Sequence, residues 1–182
     1  MKHEKKKVSL IHSLCFLLGI ILLLTTLILK RNRVSQASFS NTNQKTVVAA
    51  VPDSVFIPSI KSNLTLEKSL IVNDTWQISR NTANYLLNSG QPQSGGNIII
   101  YGHNTQDIFG RLNQVKEGDL IAIKDQHKQV YRYFVEEIKE INPDQIEYLY
   151  PTQEEVLTIY TCSGWFDQKR LLVQAKPVIS SI

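Results

Sequence analysis

The sequence predicts an all-β domain, a closed barrel or a sandwich with short helices, set behind one amino-terminal membrane-spanning helix. Three observations carry that expectation. From residue 51 onward, short runs rich in β-branched and aromatic residues recur. Clusters of Gly, Pro, Asn and Asp separate them. An uncharged run of 22 residues, Val8 to Leu29, precedes them all.

That run would span roughly 33 Å as a helix, about the thickness of a bilayer core. A cleaved signal peptide is the alternative, but its apolar stretch covers only about 7–15 residues before a small-residue cleavage site. Here the run is longer and "KRNR" follows it. Lys2, Lys5, Lys6 and Lys7 lie before the helix and Lys30, Arg31 and Arg33 after it. The slight positive-inside bias favours a cytoplasmic tail over 1–7 and a domain outside the membrane. Residues 30–50 are rich in Ser, Asn and Gln without an apolar period and read as a flexible stalk, so the folded domain is expected over 51–182.

Charge excludes one function class. The whole chain carries +4, yet residues 1–33 hold 7 Lys and Arg against 1 acid, while residues 34–182 hold 13 against 15 acids. The domain is slightly acidic, and the basic residues flank the membrane run, where they meet lipid head groups. A nucleic-acid partner is not expected.

Within the domain the strand signals come in the order "SVFIP", "NIIIYGH", "DLIAIKD", "QVYRYFVEEI", "EVLTIYTC" and "RLLVQAKPV". The turns "NSGQPQSGG", "KEGD", "KDQHK" and "NPD" lie between strands. Two short helices are expected. One is "DIFGRLNQV", with Ile108, Phe109, Leu112 and Val115 near helical spacing; the other is "PDQIEYLY", with proline in its first turn. Trp76 is expected in the core. Because strand side chains alternate, Leu171, Val173 and Ala175 share one face of the last strand, and Arg170, Leu172, Gln174 and Lys176 the more polar one. Cys162 shares a face with Thr158 and Tyr160, so neither strand buries the thiol deep in an apolar layer.

The chain has two cysteines. Cys15 lies in the membrane run and reads as a small hydrophobe. Cys162 is left without a partner for an internal disulfide, and is either an inert buried thiol or a reactive one. A nucleophilic thiol needs a base or cation nearby, because the thiolate is the reactive form. The domain offers two histidines. His127 sits in a charged turn and reads as solvated. His103 ends a strand just past Gly102, a residue that lets another backbone come close. Arg170, opening the strand after Cys162, carries a permanently charged fork of five donors suited to an oxyanion.

These residues resemble the sortases, membrane-anchored cysteine transpeptidases of bacterial surfaces. The family cysteine closes a strand in a pattern like Thr-Leu-x-Thr-Cys, matched by Thr158 to Cys162 with isoleucine in place of leucine. Gly102-His103-Asn104 matches the Gly-His context, and Arg170-Leu171-Leu172-Val173 the Arg-Leu-x-Val strand opening. The likeness covers about residues 51–178.

The resemblance implies a closed eight-stranded β-barrel with catalytic Cys162, His103 and Arg170. Thr161 would help hold the substrate, and Trp165 with Phe166 would line the groove or else pack on the barrel rim. It implies cleavage of a sorting signal similar to Leu-Pro-x-Thr-Gly on surface proteins and transfer of the acyl group to an amine of a cell-wall precursor or a pilin. No redox cofactor or metal is implied, and nothing in the sequence singles out calcium ligands. The location implied is the cell membrane, with the catalytic domain outside. Pilin polymerisation, or mainly hydrolysis, is the alternative within the family. A non-catalytic membrane-tethered barrel that binds a wall component is the alternative outside it.

Overall fold

The computed structural model describes residues 49–178; the expected tail, membrane run and most of the stalk lie outside the described residues. Among the described residues no helix is long and apolar enough to cross a membrane.

The barrel strands are β1 (Pro52–Ile57), β2 (Ser62–Ser69), β5 (Ala83–Leu86), β6 (Asn97–Gly102), β7 (Leu120–Asp125), β8 (Val130–Ile141), β9 (Val156–Ser163) and β10 (Lys169–Pro177). They close in the order β1-β2-β5-β6-β9-β10-β8-β7. Two pairings, β2–β5 and β6–β9, are parallel; the others are antiparallel. A separate two-stranded hairpin, β3 (Ile71–Val72) and β4 (Thr75–Trp76), leaves the wall between β2 and β5. Its turn residues Asn73 and Asp74 both have positive φ, as a two-residue hairpin loop of the right twist requires.

Six barrel strands fall where the sequence predicts strands. β2 and β5 carry no such signal: Leu64 and Leu66 are the only large apolar residues of β2, and β5 is four residues long. Alternation fills the interior with Val55, Ile57, Ile98, Ile100, Ile121, Ile123, Leu157, Ile159 and Val173. β6 is buried along its whole length because both its faces are covered.

The four apolar residues of "DIFGRLNQV" are buried as their spacing predicts, but the segment is turns ending in a single 3₁₀ turn, Leu112–Gln114, rather than a helix. Gly110 is one reason the chain folds so tightly there, since a Cβ on it would lie 2.8 Å from the Asn104 and Thr105 carbonyl oxygens. "PDQIEYLY" likewise supplies only a 3₁₀ turn, Ile146–Leu149. Trp76 is not in the core. It is half-buried on the hairpin, with its ring 4.7 Å from Tyr101 and edge-on to it. Leu172, on the face of β10 read as more polar, is fully buried, so that face is covered beside the site.

Candidate active site

Strand pairing brings three of the expected residues together at one end of the barrel. In the antiparallel pair β9–β10, Cys162 is the direct partner of Arg170. In the parallel pair β6–β9, Gly102 is the partner of Thr161, so His103 and Cys162 each come one residue beyond a registered pair. Adjacent strands lie about 4.8 Å apart, so the backbones of the three residues stand side by side at one end of neighbouring strands. Cys162 is a free thiol, partly exposed.

The backbone around them is held firmly. The Thr161 hydroxyl donates to the Gly102 carbonyl (2.8 Å) and is itself buried, which locks the end of β9 to the end of β6. A Cβ on Gly102 would come within 3.0 Å of Ile108 Cγ2 and 3.3 Å of the Phe109 ring, so glycine here lets the segment after His103 pack onto the strand end. Phe109 N–H donates to the His103 carbonyl (3.1 Å). Asn104 Nδ2 donates to Asp167 Oδ1 (2.9 Å), joining the loop after His103 to the loop after Cys162. Arg170 Nη1 donates to the carbonyls of Asp167 (2.7 Å) and Lys169 (2.9 Å), and the guanidinium also lies against the Tyr160 phenol.

A recess of about 280 Å³ opens beside Cys162. Its walls are Trp76 and Ile78 from the hairpin side, Tyr101 of β6, Tyr160 of β9, and Pro143, Ile146 and Leu149 around the 3₁₀ turn; Arg170 is its one charged lining residue among those described. Trp76 stacks over Tyr160 at 6.2 Å between centroids, and the Tyr101 hydroxyl donates to the Gln77 carbonyl (2.6 Å), pinning the hairpin to the barrel. Burial pushes the Tyr160 phenol above its ordinary range, and the neighbouring Arg170 guanidinium pulls it back. Such a site can take an extended apolar peptide, offer a thiol at its end and hold an oxyanion beside that thiol.

Not every expected residue joins it. Trp165 is 79% exposed and Phe166 83%; the two rings meet edge-on at 5.3 Å, and neither lines the recess or packs on the rim. His103 is half-buried and lines neither the recess nor its polar neighbour, though Gly102 and Asn104, on either side of it, line one each. Thr161 lines both, with its hydroxyl committed to Gly102. Trp76, Tyr101, Tyr160 and the 3₁₀ turn were not read as part of the site. For Tyr160 a signal existed, its shared face with Cys162 two residues on. Among the described residues no group of three or more His, Cys, Asp or Glu could hold a metal ion.

A family model described as a sortase domain matches residues 55–178. Among solved structures, a lid mutant of sortase A from Corynebacterium diphtheriae is similar at 27% identity and a TM-score of 0.61, over 76% of each chain. Sortase C-1 from Actinomyces oris is similar at 26% identity and a TM-score of 0.58, over 69% of this chain and 72% of that one. Sortase C from Streptococcus pneumoniae, described in terms of pilin substrate specificity, shares the fold at 22% identity and a TM-score of 0.60, over 74% and 72%. No curated protein matches.

Proposed function

The chain belongs to the sortase family, and from that premise we propose that it is a cysteine transpeptidase that cleaves a Leu-Pro-x-Thr-Gly-like sorting signal and passes the acylated surface protein to an amine of the cell wall. The observation that carries the reading is the registered pairing of Cys162 with Arg170, beside the strand end that bears His103, at the head of an apolar recess.

In the first half-reaction the Cys162 thiolate attacks the Thr–Gly carbonyl while the apolar part of the signal lies against Trp76 and Ile146. The developing oxyanion takes the donors of Arg170 that the loop carbonyls leave free. The C–N bond breaks, and the departing amine takes a proton from His103. In the second half-reaction an amine attacks the thioester, its proton passes to His103, and the C–S bond breaks to release the thiolate.

The test is Cys162→Ala with a sorting-signal peptide. Turnover is expected to vanish while circular dichroism stays unchanged, and the parent protein is expected to show a thioacyl adduct on Cys162 by mass spectrometry. Substantial turnover in the alanine variant overturns the assignment.

A second reading, transfer to a pilin lysine, is favoured by the similarity to sortases of the C type, one of them described in terms of pilin specificity. Acylation is the same in both readings; only the acceptor differs. We also propose that the apolar run 8–29 anchors the chain in the cell membrane with the barrel outside, which its length and flanking charges support.

A further inference from the structure

Cys162 borders a second recess, of about 270 Å³, whose chemistry is the reverse of the first. The two recesses share only Thr161 and Cys162. The first lies on the outer face of β9 and β10, with Tyr160 and Arg170. The second lies at the open rim of the barrel, where Leu171 and Thr161 end the inward-facing rows. Its lining is mostly polar and includes Asn104, Asn113, Glu140 and Ser163.

Three features bear on its occupant. Glu140, the partner of Leu171 near the end of β8, is exposed and makes no ion pair within 4 Å among the described residues, although Lys139 and Lys176 nearby on the sheet both have carboxylate partners. Lys169, which opens β10, runs its stem past Gly164 and gives its ammonium to Asn142 Oδ1. Asn104 and Asn113 place two side-chain amides on the same lining. A free carboxylate and two side-chain amides around a thiol suit a cationic primary amine.

We propose that this rim recess is the acceptor subsite, and that Glu140 selects an acceptor bearing a primary ammonium group. The proposal rests on the transpeptidase reading above and names the way in for its second substrate. While the acyl chain fills the apolar recess, a second reactant cannot reach the thioester from that side, whereas the rim leads to Cys162 from the other. Glu140 gathers the ammonium form. The amine then loses one proton to solvent, attacks the thioester carbonyl and passes a second proton to His103 as the C–N bond forms and the C–S bond breaks. Asn104, next to His103, and Asn113 orient the amine with their carbonyl oxygens. Glu140 is here a residue that binds the acceptor and takes no part in acylation.

The experiment uses the full chain in detergent at pH 7.5, a sorting-signal peptide as donor, and two acceptors. Triglycine carries an α-amine that is mostly protonated at this pH; hydroxylamine is uncharged. For Glu140→Gln the thioacyl adduct is expected at the parent's rate and yield, the KM for triglycine to rise roughly tenfold, and transfer to hydroxylamine to stay unchanged. Glu140→Lys is expected to raise the triglycine KM further and again to spare hydroxylamine. A normal adduct with an unchanged triglycine KM in both variants overturns the proposal alone, as does an equal loss for both acceptors. Absence of the adduct in the parent protein overturns the transpeptidase reading and this proposal with it.

Discussion

Replacing Arg170 by lysine keeps the charge beside Cys162 and removes the fork. The structure shows what that costs. One guanidinium nitrogen of Arg170 already serves two loop carbonyls, Asp167 O at 2.7 Å and Lys169 O at 2.9 Å, while the other nitrogens, beside the Tyr160 phenol, bond no backbone carbonyl among the described residues. Arginine can therefore anchor itself and hold an oxyanion at the same time. Lysine has a single nitrogen with three donors. It can satisfy the carbonyls or turn toward the thiol, and either choice loses directed donors at the oxyanion. Removing one such donor typically lowers the rate by about 10²–10³, or about 2.7–4 kcal/mol of transition-state stabilisation. For Arg170→Lys we expect kcat/KM for a quenched fluorescent sorting-signal peptide to fall on the order of 10²-fold, mostly in kcat, since the effect appears only as charge develops. Alkylation of Cys162 by a small uncharged reagent should change far less, because that reaction forms no oxyanion. A lysine variant within about threefold of the parent would refute the assigned role. So would alkylation that falls in step with peptide cleavage, since the arginine would then act only by stabilising the thiolate.

Two further outcomes follow from the rest of the molecule. Burial, with the Asp125 carboxylate, raises the Tyr131 phenol to about 12, and burial with Glu155 raises Tyr133 as well. The unfolded chain releases these protons near pH ~10, so their stabilising contribution is complete below that pH and is lost as pH climbs toward 12; the melting temperature should fall across that interval, and less steeply for Tyr133→Phe. The proposed anchor makes a cellular prediction: a secreted chain lacking residues 1–48 should cleave peptide in solution yet display fewer surface proteins, because tethering raises the effective concentration of enzyme and membrane-held substrate. Normal display without the apolar run would remove its assigned role.

What the sequence disclosed depended on whether a signal was local. Runs such as Asn97–Gly102 and Val156–Ser163 declare themselves through β-branched residues, and their chemistry-bearing residues lie at or just past strand ends, where a lone His, Cys or Arg stands out. β2 shows no such run: it has Ser, Asn, Glu and Lys along one barrel wall, and its strand character comes from its neighbours β1 and β5. Trp76 was expected inside because a large aromatic is usually buried, but its place is set by a hairpin turn at Asn73 and Asp74 that swings it over Tyr160. The recess wall needs β4, β6, β9 and the 3₁₀ turn at Ile146–Leu149 at once, and nothing in any one segment announces the others. Glu140 was equally silent, since an exposed glutamate near a strand end is ordinary until its register beside Leu171 is known.

Strand direction explains why the site gathers at one rim. β6 and β9 are parallel neighbours, so their carboxyl ends coincide, and whatever follows Gly102 must meet whatever follows Thr161. β10 runs antiparallel to β9, so its first residues lie at that same end, and β8 runs antiparallel to β10, so its last residues do too. His103, Glu140 and the hairpin that bears Cys162 and Arg170 are thus brought to one edge by a single parallel pairing and the two antiparallel ones that continue from it. If β6 and β9 were antiparallel, the end of β6 bearing His103 would lie at the far rim, about six residues or 20 Å away from Cys162. The parallel pair is therefore the structural condition for the proposed chemistry, and the Thr161 hydrogen bond to Gly102 fixes its register one residue before the thiol.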